Sequence, residues 1–150
     1  VLALDADEVF HEAELEKAIK TAYEGDKRYY GISGYVNFWR SFNYACYDQY
    51  EPVRITNLHK QTGQGTVHCT IYHFSCAQSE TIMRYKYLIH GHASELKPNW
   101  LEDIYFKWAS PNESDDLHCV AFGLWKATPF DKNTLPESLK NHPNFNKEMI

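Results

Sequence analysis

The first third of the sequence alternates between apolar runs and amphipathic stretches. An apolar run at residues 1–5 ends in a carboxylate, which predicts a short buried strand. Over residues 11–24 apolar side chains recur at helical spacing with charges on the opposite face, and Gly25 is expected to end that helix. Aromatic and β-branched residues over 29–42 then predict a long strand.

The pattern continues with shorter strands. Residues 43–52 are polar and aromatic, which is typical of a loop, whereas residues 53–56 alternate as a strand does. A glycine-bearing turn at 63–65 precedes a second strand at 67–74. These two strands and the turn together predict a hairpin.

The second half of the chain is predicted to be mainly helical. Ser79 is expected to cap a helix that runs to about residue 90. Asn99 and Glu102 resemble a capping box for a further short helix. Beyond Pro111 the chain is rich in turns. With no repeat or flexible linker, the order of elements predicts one α/β domain over residues 1–150.

Composition narrows the class of protein. The 150 residues suffice for one domain with a real core, and 43% hydrophobic against 23% charged residues excludes disorder. The formal net charge of −5 argues against a nucleic-acid partner. No apolar run approaches the length of about 18 residues that a membrane-spanning helix needs, so no transmembrane segment is expected.

The four cysteines show none of the spacings of a zinc ribbon. We therefore expect reduced thiols and, with them, a cytoplasmic location.

The stretch Asp5-Ala6-Asp7-Glu8 carries the most chemical information. In an extended chain, residues two apart point to the same side, so Asp5 and Asp7 are expected to face one site. Two close carboxylates repel unless a cation or a proton lies between them, and hard oxygen ligands favour Mg²⁺ or Mn²⁺. The alternative is a charged strand end before a helix N-terminus, where acidic residues are favoured in any case.

This stretch resembles the DXD region of family 2 glycosyltransferases, which have the GT-A fold. The resemblance extends over most of residues 1–110 and is to a bacterial and phage-associated branch of the family. Its parts, in chain order, are Val1–Glu8, Asn37-Phe38-Trp39, Val53–Asn57, Ile71-Tyr72-His73-Phe74-Ser75, the helix that bears Lys86, and the segment at Trp100.

The resemblance implies a metal site and its ligands. Asp5 and Asp7 would hold Mn²⁺ or Mg²⁺ that bridges the diphosphate of a nucleotide-sugar donor, with Asp7 in direct contact and His73 completing the set. The alternative for His73 is a buried histidine that is hydrogen-bonded to the backbone. On the fold, the resemblance implies a GT-A-like mixed sheet flanked by helices, with the strand at residues 1–5 in a central position and both Asp7 and His73 facing one cleft.

The reaction implied is transfer of the sugar, with inversion, to a glycan or another hydroxyl acceptor. Inversion calls for a general base that takes the acceptor's proton. The Glu-Asp pair expected between the Arg54 strand and the His73 strand is missing. Asp48, in the aromatic loop, is the candidate base, whereas Glu102-Asp103 follows His73 and is expected only to begin a helix.

A GT-A enzyme binds its nucleotide with βα units that precede the DXD motif, on the order of 90 residues at ~30 each. We therefore expect the chain to be the C-terminal part of a catalytic domain that lacks most of the nucleotide-binding half, completed by a further segment or chain and inactive alone. Two alternatives remain. One is a non-catalytic binding or structural module that keeps a partial glycosyltransferase fold. The other is a small metal-dependent hydrolase that uses Asp5, Asp7 and His73.

Overall fold

The computed structural model describes residues 1–47, 49–89, 91, 93–109, 116–120 and 125–147. Within these ranges it has the predicted α/β class, with six strands and several helices. The strands are β1 (Glu8–Phe10), β2 (Tyr29–Trp39), β3 (Tyr44–Tyr47), β4 (Val53–Thr56), β5 (Gln64–Cys76) and β6 (Thr128–Pro129). The α-helices are α1 (Glu12–Glu24), α2 (Glu80–Leu88) and α3 (Glu137–Lys140), with 3-10 turns at Ala93–Glu95 and Lys132–Thr134 and a π-helical turn at Leu101–Tyr105.

The sheet is mixed, with the strand order β1-β5-β2-β3-β6 and with β4 also pairing with β2. β1 runs antiparallel to β5, and this register places Glu8 opposite His73. The residue numbers of the side chains in contact increase together along β2 and β5, from Ser33–His68 to Asn37–His73. These two strands therefore run parallel. Residues of three strands therefore converge around His73.

The chain forms two compact units, and β2 and β5 each contribute to both. The first unit comprises Val1–Asn37 and Asp48–His73, and the second comprises Phe38–Tyr47 and Phe74–Ile150. In the first unit the small side chains of Ala18 and Ala22 let α1 pack closely on the sheet. Its core consists of Ala18, Ala22, Tyr30, Ile32, Tyr35, Ile55, Val67, Cys69 and Ile71.

The core of the second unit is aromatic. The ring of Trp39 makes edge contacts with the rings of Trp100, Tyr105 and Trp108, at centroid distances of 5.9, 5.1 and 6.3 Å. The buried Tyr105 hydroxyl donates a hydrogen bond to the Cys76 carbonyl oxygen at 2.8 Å. Edge-to-face packing of this kind adds stability beyond the area that the rings bury.

Several of the predicted elements are confirmed. The helix expected over residues 11–24 is α1, and it ends at Gly25, whose backbone N–H bonds the Thr21 carbonyl oxygen. The long strand is β2, the strand at 67–74 lies within β5, and the helix after Ser79 is α2. Residue 90, where that helix was expected to end, lies outside the described residues.

The predicted buried strand at residues 1–5 is wrong. The segment makes one isolated antiparallel bridge, between Leu2 and Ile55 of β4, and its apolar side chains at Val1 and Leu4 are exposed. The segment pairs with β4 and takes no central position in the sheet.

The predicted hairpin is also wrong, because β4 pairs with β2 while β5 pairs with β1. The segment expected to be a loop at 43–52 contains β3, which pairs antiparallel with β6. The Asn99–Glu102 capping box does not form. Asn99 adopts a left-handed conformation with φ of 53°, Trp100 becomes the N-cap, and that helix end has no side-chain cap.

Across the described ranges, none of the helices combines the length and the apolar character needed to cross a membrane.

Candidate functional site

Neighbouring strands of the first unit bring the predicted site residues together. His73 lies on β5, opposite Glu8 at the start of β1. Asp7 is in the turn immediately before β1, so the chain delivers its carboxylate next to His73. Asn37 lies on β2, on the other side of β5 from β1.

Asp7 and His73 form the centre of the site. The Nε2 atom of His73 lies 3.6 Å from Oδ1 of Asp7, and the two side chains are 16% and 25% exposed. The expected proximity of these two residues is therefore confirmed. Both side chains are therefore partly accessible to solvent.

The second ring nitrogen of His73 is held by Asn37. Its Nδ1 atom lies 2.7 Å from the side-chain amide oxygen of Asn37, a residue that is 2% exposed. An amide oxygen only accepts hydrogen bonds, so a hydrogen bond at this contact requires the proton on Nδ1. A neutral imidazole with its proton on Nδ1 has a lone pair on Nε2, and that lone pair faces the Asp7 carboxylate. Two acceptors that face each other are stabilised by a shared cation, either a proton or a metal ion.

Asp5 forms an ion pair with Arg54 of β4. Its Oδ2 accepts a 2.6 Å hydrogen bond from Nη2 of Arg54. Arg54 also binds Glu8 at two points, Nη2 to Oε1 at 2.6 Å and Nε to Oε2 at 2.9 Å. A guanidinium therefore balances the first carboxylate of the DXD stretch. Within the described part of the chain, no group of three or more His, Cys, Asp or Glu side chains is arranged to hold a metal ion.

Tyr35 connects the Arg54 cluster to His73. Its hydroxyl donates to Oε1 of Glu8 at 2.9 Å, and its ring contacts the imidazole of His73 at a centroid distance of 5.0 Å. Burial, together with the negative charge of Glu8, raises the pKa of Tyr35 far above its usual value. The hydrogen bond with Glu8 raises the pKa of Arg54. Tyr35 therefore stays a protonated donor and Arg54 stays a cation throughout the physiological range.

Four residues of this arrangement were not anticipated as site residues, namely Tyr35, Asn37, Arg54 and Glu8. Two weak signals in the sequence indicate three of these residues. Arg54 is the single charged residue of a four-residue strand, and Tyr35 and Asn37 are two positions apart on β2, so they share a face of the sheet.

The candidate general base and the Glu102-Asp103 pair have different outcomes. Asp48 lies outside the described residues. Glu102 and Asp103 belong to the second unit, where they pair with Arg84 and Lys107. Their role as charged residues at the start of a helix is confirmed.

Comparison of the chain with protein-family models, with curated proteins and with solved structures finds no match.

Proposed function

We propose that this chain is a region of the catalytic domain of a metal-dependent, inverting glycosyltransferase of the family 2 type, with a GT-A-like sheet. Its substrates would be a nucleotide-sugar donor and a glycan or another hydroxyl acceptor. The observation that carries the proposal is the placement of Asp7 and His73, whose facing acceptor atoms lie 3.6 Å apart at an open site.

The donor set of this site fits Mn²⁺ better than Mg²⁺, which prefers oxygen ligands alone. One carboxylate oxygen and one neutral imidazole nitrogen suit a borderline divalent ion such as Mn²⁺. Asp7 and His73 would hold the ion, and two protein ligands leave coordination positions for diphosphate oxygens and water, as is common in phosphate-binding sites. When bound, the ion supplies positive charge that stabilises the departing diphosphate.

The surrounding charges favour a cation at this site. The three carboxylates of Asp5, Asp7 and Glu8 outnumber the single guanidinium of Arg54 among the contacting groups. Because Arg54 binds Asp5 and Glu8, the carboxylate of Asp7 is the member of this set that lies against His73. The local field therefore attracts a divalent cation rather than a bare anion.

A second candidate function is a non-catalytic module that keeps part of this fold. The observation that favours it is the ion pair between Asp5 and Arg54, which gives one DXD carboxylate a cation of the chain as its partner. In this case a cation at Asp7 and His73 would stabilise the module and would not serve a bound donor.

Metal and nucleotide titrations test the proposal. We expect calorimetry to detect Mn²⁺ binding to the chain, and Asp7→Ala to abolish it. Asp26→Ala is the matched control, since Asp26 is an exposed carboxylate of the same unit whose partner is Lys27. Equal Mn²⁺ affinity in all three proteins would overturn the assignment of the site.

Nucleotides then separate the two candidate functions. For the glycosyltransferase, a nucleoside diphosphate added with Mn²⁺ should bind more tightly than without it, and this gain should vanish in Asp7→Ala. For the non-catalytic module, Mn²⁺ should raise the melting temperature while a panel of nucleoside diphosphates and nucleotide sugars shows no metal-dependent binding.

A further inference from the structure

We infer that Asn37 is a positioning residue that fixes the imidazole of His73 in the tautomer whose Nε2 lone pair faces Asp7. The inference goes beyond the proposed function, because it assigns a role to a residue outside the expected set of metal ligands. Its consequence for metal binding rests on the proposed function, whereas its statement about the tautomer does not.

The contact between Asn37 and His73 has the properties of an orienting bond. Its length of 2.7 Å is at the short end of the range for hydrogen bonds to oxygen. Asn37 is almost fully buried, so water does not compete for the amide oxygen. A hydrogen bond of this kind costs more to break than one at the surface, because the unpaired nitrogen would remain desolvated.

A second contact limits rotation of the same ring. The aromatic ring of Tyr35 lies against the imidazole with an interplanar angle of 31°. Tyr35 and Asn37 are two residues apart on β2, and their side chains therefore reach His73 from one strand. The hydroxyl of Tyr35 is in turn held by Glu8. Asn37 thus chooses the nitrogen that carries the proton, and Tyr35 restrains the plane of the ring.

The chemical result is a preformed acceptor at Nε2. Residues that bind the far nitrogen of a metal-binding histidine fix its tautomer, and their loss typically costs 10–100-fold in metal affinity. Without Asn37, the neutral ring is free to place its proton on Nε2, where it would donate to Asp7 and block that nitrogen as a ligand. Asn37 therefore acts on the site through the ring of His73.

NMR of the metal-free chain with ¹⁵N-labelled histidine tests the inference directly, at a pH where the imidazole is neutral. Long-range correlations from the ring carbons report which nitrogen carries the proton. We expect the proton of His73 on Nδ1 in the unsubstituted chain and in Asn37→Asp, which keeps an acceptor oxygen. In Asn37→Val we expect a substantial fraction of the Nε2–H tautomer.

Ser33→Ala is the matched control. The hydroxyl of Ser33 contacts Nδ1 of His68 at 3.3 Å, so it is also a β2 side chain on a β5 histidine, but this pair is exposed. The substitution should leave the tautomer of His73 and the Mn²⁺ affinity unchanged. A purely structural role for Asn37 would instead leave the His73 tautomer the same in all variants that fold.

The outcomes distinguish the statement about the tautomer of His73 from its consequence for metal binding. A proton on Nε2 of His73 in the unsubstituted chain overturns it, even if Asn37→Val fails to fold. With the expected tautomers, a 10–100-fold weaker binding of Mn²⁺ to Asn37→Val than to Asn37→Asp extends the role to metal binding. With the expected tautomers but no Mn²⁺ binding to the unsubstituted chain, Asn37 still positions His73 and the proposed metal function fails.

Discussion

The carboxylate of Glu8 and the guanidinium of Arg54 form a two-point ion pair in which the side chain of Glu8 is fully buried. The pair joins the start of β1 to β4, two elements that are 46 positions apart in the sequence. Such a pair adds little to the free energy of unfolding compared with apolar side chains of the same shape. Removing one partner is costly, however, because it leaves a buried charge uncompensated.

Replacing Arg54 should therefore destabilise the chain strongly. We expect Arg54→Met to lower the free energy of unfolding by about 3–5 kcal/mol, because the buried carboxylate of Glu8 would keep the Tyr35 hydroxyl and the Asp5 N–H but lose its charged partner. Urea unfolding measures the loss. Lys27→Met removes the exposed pair with Asp26 and should cost ~0–1 kcal/mol. Similar losses of unfolding free energy in both variants would contradict the idea that burial makes the Glu8–Arg54 pair costly to break.

Tyr35 should make stability fall at alkaline pH. Its pKa in the folded chain is raised above the value of about 10 for an unfolded tyrosine, so its contribution is complete below that pH and is lost as the pH rises beyond it. Tyr35→Phe should flatten this fall in urea unfolding above about pH 10. At neutral pH the same variant should lose about 1.5–3 kcal/mol, because the hydrogen bond to a charged partner is missing. Tyr23→Phe, at an exposed tyrosine of the same unit, should keep the alkaline slope of the unsubstituted chain.

Asp116 should make stability of the second unit fall at acid pH. Burial alone would raise its pKa, but the N–H groups of Trp125 and His118 and the ammonium of Lys97 bind the carboxylate and lower the pKa below the usual value. The stability from these bonds is present above about pH 4 and is lost as the pH falls through the lowered pKa.

Asp116→Asn should lose about 1.5–3 kcal/mol at neutral pH and show a flatter acid limb in urea unfolding. The control is Asp103→Asn, which removes only the exposed pair with Lys107. An unchanged acid limb in Asp116→Asn would show that another carboxylate controls this region.

The cysteines should react slowly with thiol reagents in the folded chain. Cys46, Cys69 and Cys76 are buried and Cys119 is partly exposed, and none of them forms a disulfide. Burial raises the pKa of Cys69 to about 11, so very little reactive thiolate is present near pH 8. We expect Cys119 to react first and Cys69 to react only after denaturation. Labelling followed by mass spectrometry checks the order, and rapid native labelling of Cys69 would contradict its burial.

Local sequence patterns predicted the elements whose residue spacing or residue types are distinctive. The amphipathic spacing around Ala18 and Ala22 identified α1, and the run of aromatic and β-branched residues identified β2. The two buried alanines of α1 are four positions apart, as the helical period requires, whereas most positions of β2 are buried and its aromatic and β-branched residue types identified it. The structure therefore followed from neighbouring residues alone.

Pairing partners were harder to predict, because they depend on distant residues. The two strands flanking Gly63 looked like a hairpin, yet β4 pairs with β2 and β5 lies between β1 and β2. Residues 44–47 were predicted to lie in a loop, because a four-residue strand is short and its neighbours in the sequence are polar. The tertiary context of a short strand outweighs its own sequence pattern.

The site residues also divide into predicted and unpredicted ones. Asp7 and His73 were predicted from the resemblance to a known family, and the two side chains are observed to lie close together. Asn37 and Arg54 were not anticipated, since each acts across strands that only the fold brings together. The metal and the transfer of a sugar stay predictions that the titrations above address.

The turn that carries Asp7 is fastened at both ends, since Arg54 binds Asp5 on one side and Glu8 on the other, and the Glu8 N–H bonds the Asp5 carbonyl oxygen at 3.1 Å. Ordering a residue of backbone costs on the order of 1–2 kcal/mol of conformational entropy. For the residues between these anchors, that entropy is lost when the chain folds and not when a ligand arrives. Arg54, although its own charge repels a cation, is thus expected to tighten binding at Asp7 by preorganising the loop that bears it.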